Sequence, residues 1–164
     1  MIKPLVKNVL VAVNGSEASI HALMYGIILA KQQHINLKAV FVVDTATLKQ
    51  LTLTKFFVAD ESENYEENLI TDGKRCLQYA ADLAKQKGVR IETEVRKGAV
   101  WAEVIKSADE YKSDLILIGG KEYRSYDSLR HNMVSVARSE IIASAHCSVL
   151  VVREPELENL FKHL

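Results

Sequence analysis

The residues best suited to bind an anion lie in one segment, residues 118–140, with the sequence IGGKEYRSYDSLRHNMVSVARSE. The segment follows an apolar run and begins with Gly119 and Gly120, and glycines allow backbone N–H groups to approach a phosphate closely. Side chains that can hydrogen-bond to phosphate oxygens follow: Lys121, Arg124, Ser125, Ser128, Arg130, His131 and Ser135. Two interpretations remain open: a solvated charged loop, which we favour, and an unusual anion site built from these side chains.

A second polar turn, Asn14-Gly15-Ser16, directly follows the first apolar segment of the chain. Asn-Gly tolerates positive φ, and a serine just before a helix accepts a hydrogen bond from the first turn of that helix. These residues therefore predict a tight connection between a strand and a helix.

Sequence motifs for catalysis or metal binding are missing from this chain. The stretch VAVNGSEAS is not the nucleophile motif G-x-S-x-G, and GGKEYRS is not the P-loop G-x-x-x-x-G-K-[ST]. None of the five histidines forms H-E-x-x-H, and Cys76 and Cys147 lack metal-ligand spacing. A receiver domain would need acidic residues where Asn14-Gly15 and Lys97-Gly98 stand. We therefore predict no enzyme activity and no metal site.

Short apolar segments that alternate with helical patterns must position these residues. The strand candidates are NVLVAV (8–13), LKAVFVV (37–43), RIETEV (90–95), DLILIG (114–119) and CSVLVV (147–152). The helix candidates start at Ser16 and then cover about 61–87, 99–111 and 132–145. Continuous apolar runs are typical of parallel strands buried on both faces, whereas the alternating RIETEV indicates an edge strand. The order predicts a doubly wound α/β sheet with helices on both faces.

In such a sheet ligands bind beyond the carboxyl ends of the strands, here in the loops after Val13, Val43 and Ile118. We predict one α/β domain over residues 1–154, with an inserted segment at 44–60 that forms a short helix or a lid. Residues 155–164 predict a helical tail that packs on the domain or on a partner, with one apolar side formed by Leu157, Leu160, Phe161 and Leu164.

Charge and hydropathy limit the classes of partner and the cellular compartment that we expect for this chain. The 164 residues include 21 Lys plus Arg and 21 Asp plus Glu, so no global field attracts nucleic acid or an anionic membrane. The apolar run near the N-terminus is far shorter than the roughly 20 residues that span a bilayer. We therefore expect a cytoplasmic protein with neither nucleic-acid nor membrane partners.

Four blocks together resemble the universal stress proteins: VLVAVNGSEAS, AVFVVD, DLILIGG and AHCSVLVVREP. The resemblance covers about residues 7–153, with the blocks in order. It implies a five-stranded parallel sheet in the order 3-2-1-4-5 and a homodimer. The family has one branch that binds ATP and one that does not. The ATP-binding branch carries the pattern G-x-x-G-x(9)-G-[ST] after the fourth strand.

That pattern is damaged in this chain. Gly119 matches the first glycine, Glu122 replaces the second, and Ser135 and Val136 stand where the last glycine and its hydroxyl residue belong. Gly119 and Ser135 are 16 positions apart, whereas the pattern requires 13. A carboxylate at position 122 would also repel phosphate. We therefore expect that the standard phosphate cradle does not form.

The resemblance also implies roles in nucleotide binding for Asn14 and Val42. Asn14 stands where nucleotide-binding relatives often have an aspartate near the ribose or base, and its amide can donate and accept hydrogen bonds without a charge. Val42 matches the position whose backbone faces the adenine. Structural roles, a turn for Asn14 and core packing for Val42, explain both residues equally simply.

Three hypotheses follow from the sequence. The first is a non-enzymatic regulatory protein of the universal stress type, dimeric through its fifth strand (Cys147 to Val152), with weak or absent ATP binding. In the second, Asn14, Gly15, Val42, Gly119 and Gly120 hold an adenine nucleotide, AMP more readily than ATP, while Lys121, Arg124 and Ser135 replace the cradle. The third is an adaptor that binds a protein partner through residues 44–60 and the tail.

Overall fold

The computed structural model describes residues 2–53, 59–120 and 128–164. The strands are β1 (Asn8–Val13), β2 (Asn36–Asp44), β3 (Ile91–Gly98), β4 (Leu115–Gly119) and β5 (Ser148–Val152). The helices are α1 (Glu17–Gln33), α2 (Thr45–Leu53), α3 (Ala59–Gln86), α4 (Val100–Tyr111), α5 (Ser128–Ser144) and α6 (Leu157–Lys162).

The five strands form one sheet in the order β3-β2-β1-β4-β5, and every neighbouring pair is parallel. The predicted fold class and strand order are confirmed. β3, which contains the alternating sequence RIETEV, lies at one edge as predicted, and β5 lies at the other. β3 continues to Gly98, three residues beyond the predicted end, because its last residues pair with the end of β2.

Helices cover both faces of the sheet, which explains the apolar runs of the inner strands. On one face, α1, α3 and α6 pack on a core that includes Val9, Val11 and Leu117. On the other face, α4 and α5 pack on Leu10, Ile116 and their neighbours. Consecutive residues of β1 and β4 therefore enter opposite cores, so nearly every residue of these strands must be apolar.

Local signals in the sequence set several element boundaries. Ser16 caps α1, because its hydroxyl accepts a hydrogen bond of 3.2 Å from the Ser19 N–H. Gly88 adopts a φ of +70° just after α3 and ends that helix. At the start of α2 the Asp44 carboxylate accepts hydrogen bonds from the N–H (3.0 Å) and hydroxyl (2.7 Å) of Thr47. The inserted segment thus begins with a short helix, and its residues 54–58 lie outside the described ranges.

The tail forms α6, which packs on α1 rather than extending away from the domain. Leu157 and Phe161 are 2% and 7% exposed and belong to the core, and Leu164 packs against it. The prediction for Leu160 was wrong, since this side chain is 54% exposed. In this helix of six residues, Leu157 and Phe161 are one turn apart on the inner face, Leu160 points outward, and Leu164 lies just beyond the end of the helix. Within the described ranges, every helix is too short or too polar to cross a lipid bilayer.

Candidate functional site

The carboxyl ends of β1, β2 and β4 lie side by side at one end of the sheet. Val11 pairs with Leu117 of β4, so β1 and β4 end at the same level, whereas Val13 pairs with Phe41 and β2 continues three residues further to Asp44. The turn after β1 and the glycines at the end of β4 are therefore neighbours, and Val42 of β2 lies one residue beyond the same level. Doubly wound sheets bind ligands at this carboxyl end of their strands.

The turn after β1 is built by hydrogen bonds of its own residues. The Asn14 side-chain oxygen accepts a bond of 2.9 Å from the Ser16 N–H, and the Asn14 N–H donates to the Ser19 hydroxyl over 3.2 Å. Gly15 has a φ of +82°, and a Cβ at this residue would meet no atom within 4 Å. The structural role of Asn14 as a turn residue is thus in place, and Gly15 leaves open space beside the turn.

Gly119, the last residue of β4, and Gly120, which follows it, are in tight contact with other parts of the backbone. A Cβ on Gly119 would lie 2.6 Å from the Ala18 carbonyl carbon and 2.7 Å from its oxygen, in the first turn of α1. A Cβ on Gly120 would lie 2.5 Å from the Val152 carbonyl oxygen at the end of β5. Both positions therefore require glycine for packing, whether or not a ligand is bound.

Arg138 of α5 also reaches this end of the sheet, and the sequence did not indicate a role for it there. Its guanidinium donates a hydrogen bond of 2.8 Å to the Gly120 carbonyl oxygen. The bond joins α5 to the end of β4 and places a positive charge where residues 121–127 begin. Nothing in the sequence around Arg138 distinguishes it from an ordinary surface arginine, because the contact depends on how α5 packs.

The remaining predicted residues divide into two groups. Val42 is half-buried and packs against the core beneath α4, as an ordinary strand residue does. Lys121 and Arg124 lie outside the described residues, and the side chain of Ser135, a residue of α5, does so as well. The described structure thus brings together Asn14, Gly15, Val42 and the two glycines, and their role in binding stays a prediction.

Cys76 of α3 lies against the turn after β1. Burial raises the pKa of its thiol, and a hydrogen bond with the Gly15 backbone opposes that rise. Since the raised pKa keeps the group a neutral thiol near pH 7, Cys76 is a poor nucleophile there. It acts as a packing residue beside the turn.

A charged network lies at the β3 edge, where its central residue, Arg96, pairs with Val42 of β2. The Arg96 guanidinium contacts Glu103 at 2.8 Å, Glu110 at 2.9 Å and Glu94 at 3.3 Å. Burial tends to raise the pKa of Glu94, but a hydrogen bond from Ser107 and the charges of Lys38 and Arg96 lower it overall. These ion pairs join Arg96 of β3 to Glu103 and Glu110 of α4, so the network has a structural role.

A cavity of about 630 Å³ lies at the opposite end of the sheet, by the amino ends of the strands. It lies between the end of α1 and the starts of β2 and β3, and the Lys31 ammonium beside it donates to the Lys87 carbonyl oxygen over 2.7 Å. The cavity is open and lies far from Asn14 and Gly119. It therefore gives no support to a ligand site at the carboxyl ends of the strands.

Comparisons with known proteins agree with this architecture. The sequence profile described as "Universal stress protein family" matches residues 6–153. A universal stress protein of Methanocaldococcus jannaschii is 30% identical over 156 residues, which cover 94% of this chain and 86% of that protein.

Solved structures show the same fold. A universal stress protein family member from Burkholderia pseudomallei superimposes with a TM-score of 0.71 at 20% identity, over 93% of this chain and 100% of that one. The Archaeoglobus fulgidus universal stress protein in complex with dAMP gives 0.62 at 16% identity, over 92% and 100%. An Arabidopsis thaliana family member with AMP bound gives 0.64 at 13% identity, over 92% and 94%.

Proposed function

Because the chain belongs to the universal stress protein family, we propose that it is a non-enzymatic regulatory protein of the cytoplasm in which ATP binding is weak or absent. The observation that carries this proposal is the packing of Gly119 and Gly120 against the backbone of α1 and β5. Gly119 is the remaining glycine of a phosphate-binding pattern, and the fold needs both it and Gly120 without any phosphate.

The rest of the pattern supports the same conclusion. A triphosphate needs several backbone N–H groups converging on its oxygens, and the glycines that allow such convergence are replaced at positions 122 and 135. The helix after β4, α5, begins at Ser128, so Ser135 lies inside it rather than at the N-terminus that the pattern turns toward the phosphates. A carboxylate at position 122 adds repulsion that nearby cations must offset.

Binding of a nucleoside monophosphate is the second candidate function. Two proteins of the same fold have dAMP and AMP bound, and a monophosphate needs far less of the cradle than ATP does. In this chain Asn14, Gly15 and the end of β2 would contact the nucleoside, and Lys121 or Arg124 would contact the phosphate. Lys121→Ala or Arg124→Ala should then weaken AMP binding by about 1–3 kcal/mol, the value of a charge-assisted hydrogen bond. Unchanged AMP affinity in both variants would refute this assignment.

The tail gives little support to the adaptor hypothesis. Its apolar side chains Leu157 and Phe161 are already buried against α1, so they are not available to a partner protein. Only the exposed Leu160 remains on the outer side among the tail leucines named above.

We further propose a homodimer formed through β5. This strand is at the sheet edge, and its central residues Val149, Leu150 and Val151 are only half-buried in the single chain. An apolar edge strand of this kind pairs readily with a copy of itself. Light scattering at micromolar concentration should give twice the chain mass of 18.4 kDa. A mass equal to one chain would contradict the dimer.

The absence of enzyme activity is tested by phosphate release. The purified chain is incubated with ATP and Mg²⁺, and inorganic phosphate is measured against buffer and against an Asn14→Ala variant. We expect the same slow release in all three samples. ATP turnover by the unmodified chain that Asn14→Ala abolishes would overturn the non-enzymatic proposal.

A further inference from the structure

Three metal-ligating side chains meet where α6 packs on α1. Glu17 and His21 are one turn apart on α1, and Glu158 lies on α6. One ligand atom from each residue lies within 4.8 Å of the other two, and His21 Nε2 is 2.9 Å from Glu158 Oε1. The sequence predicts no metal site, because Glu158 is 137 positions from His21 and only the packing of the tail brings it close.

We propose that Glu17, His21 and Glu158 bind a divalent transition-metal ion such as Zn²⁺, which joins α6 to α1. One imidazole nitrogen and two carboxylate oxygens form a ligand set that zinc accepts, with water completing the coordination. The imidazole selects against Mg²⁺ and Ca²⁺, which take oxygen ligands.

The fold fixes the backbone positions of the three ligand residues before any metal binds. Glu17 and His21 have the i, i+4 spacing that puts two side chains on one face of a helix. Glu158 directly follows Leu157, which is 2% exposed, so the core fixes the position of its backbone. Phe161 is buried on the same side of α6, and the Lys87 ammonium lies 4.8 Å from the centre of its ring.

Distances and exposure allow the site to close on an ion. Zinc bonds of about 2.0–2.2 Å place tetrahedral ligand atoms roughly 3.4 Å apart. The separations, which reach at most 4.8 Å, must therefore shrink by about 1.4 Å at most, and the 2.9 Å between His21 Nε2 and Glu158 Oε1 must widen by about 0.5 Å. The His21 and Glu158 side chains are 32% and 68% exposed, and Glu17 is exposed, so rotation of the side chains is sufficient. The same exposure gives the ion a path from solvent.

Electrostatics favour the cation on balance. The N-terminus of α1 carries a partial positive charge that opposes a cation near Glu17. Two full negative charges, from Glu17 and Glu158, outweigh that partial charge. The exposed location makes the site weaker than a buried structural zinc site, and we expect a dissociation constant in the micromolar range.

The test is calorimetric titration of the full chain, prepared without a histidine tag and stripped of metal, with zinc chloride. We expect one equivalent per chain, no heat with magnesium chloride, and at least a tenfold loss of zinc affinity in His21→Ala and in Glu158→Gln. His146→Ala is the matched control, because His146 forms a similar exposed pair with Asp109 at 3.0 Å and is not part of this cluster. Zinc affinity should be unchanged in that variant.

A second readout separates this site from zinc bound elsewhere on the surface. Zinc should slow hydrogen exchange at the α6 amides in the unmodified chain and leave it unchanged in Glu158→Gln, whose fold is checked by circular dichroism. The proposal is overturned if the unmodified chain binds no zinc, if His21→Ala binds it equally well, or if His146→Ala loses as much affinity. Unchanged α6 exchange on zinc binding overturns it too.

Discussion

Replacing Gly119 with alanine should destabilise the protein in the absence of any nucleotide. The new Cβ would lie 2.6 Å from the Ala18 carbonyl carbon and 2.7 Å from its oxygen, so the end of β4 and α1 must move apart. Forcing an additional methyl group into a packed interior costs about 1–3 kcal/mol. Because the obstacle is helix backbone rather than the end of a flexible side chain, we expect a value toward the upper end of this range.

Gly26→Ala provides the matched control for the same chemical change. Its Cβ would meet Leu37 Cδ1 at 2.9 Å and Leu117 Cδ1 at 3.2 Å, which are the ends of side chains. Gly26 is also inside α1, where alanine is favoured over glycine by about 1 kcal/mol, and this gain offsets the crowding. Gly26→Ala should therefore change the free energy of unfolding by less than about 1 kcal/mol.

Urea unfolding of the three proteins without ligand, followed by circular dichroism, measures these differences. A large loss in Gly119→Ala with a small change in Gly26→Ala would confirm that Gly119 is required for packing. If Gly119→Ala unfolds at the same urea concentration as the unmodified chain, the packing explanation for this glycine is wrong, and a ligand role becomes the better explanation.

Two further predictions concern the tail and the acid limit of stability. Leu157→Ala should lower the free energy of unfolding by about 2–5 kcal/mol, because this side chain is buried. Leu160→Ala should change it by less than about 0.5 kcal/mol, because this side chain is exposed. Similar losses in the two variants would contradict the packing of α6. The N–H groups of Asn8 (2.9 Å) and Lys7 (2.8 Å) donate to the Asp114 carboxylate and lower its pKa in the folded protein. Asp114 therefore stabilises the fold above its unfolded pKa of about 3.9, and this contribution is lost as pH falls through the lower folded pKa. Asp114→Asn should reduce stability at pH 7 and flatten the fall in stability that begins as the pH drops below the unfolded pKa of about 3.9. Urea unfolding at each pH measures this fall, and a curve parallel to that of the unmodified chain would contradict the prediction.

The fold could be predicted from the sequence because its main determinants are local. The continuous apolar runs of β1 and β4 reflect burial on both faces, and the alternation in β3 reflects its edge position. Ser16 and Gly88 mark helix boundaries through their own backbone and side-chain preferences. The outward position of Leu160 was missed, because a helix of one and a half turns leaves its orientation to the contacts that it makes with α1.

The site was less accessible to sequence reasoning, since its features depend on distant contacts. A glycine pattern identifies Gly119 and Gly120, but it does not distinguish a phosphate contact from contact with Ala18 or Val152. The hydrogen bond from Arg138 to Gly120 depends on the packing of α5. The cluster of Glu17, His21 and Glu158 requires the tail to fold back on α1, which the sequence left open between the domain and a partner.

The central claim, that this family member lacks a working triphosphate cradle, is tested most directly by calorimetric titration with ATP and AMP, with and without Mg²⁺. We predict that ATP binds no more tightly than AMP, either because both nucleotides bind weakly or because only AMP binds. ATP binding at micromolar concentrations, strengthened by Mg²⁺ and at least tenfold tighter than AMP, would contradict the claim. It would mean that residues after Gly120 grip the β- and γ-phosphates despite the lost glycines.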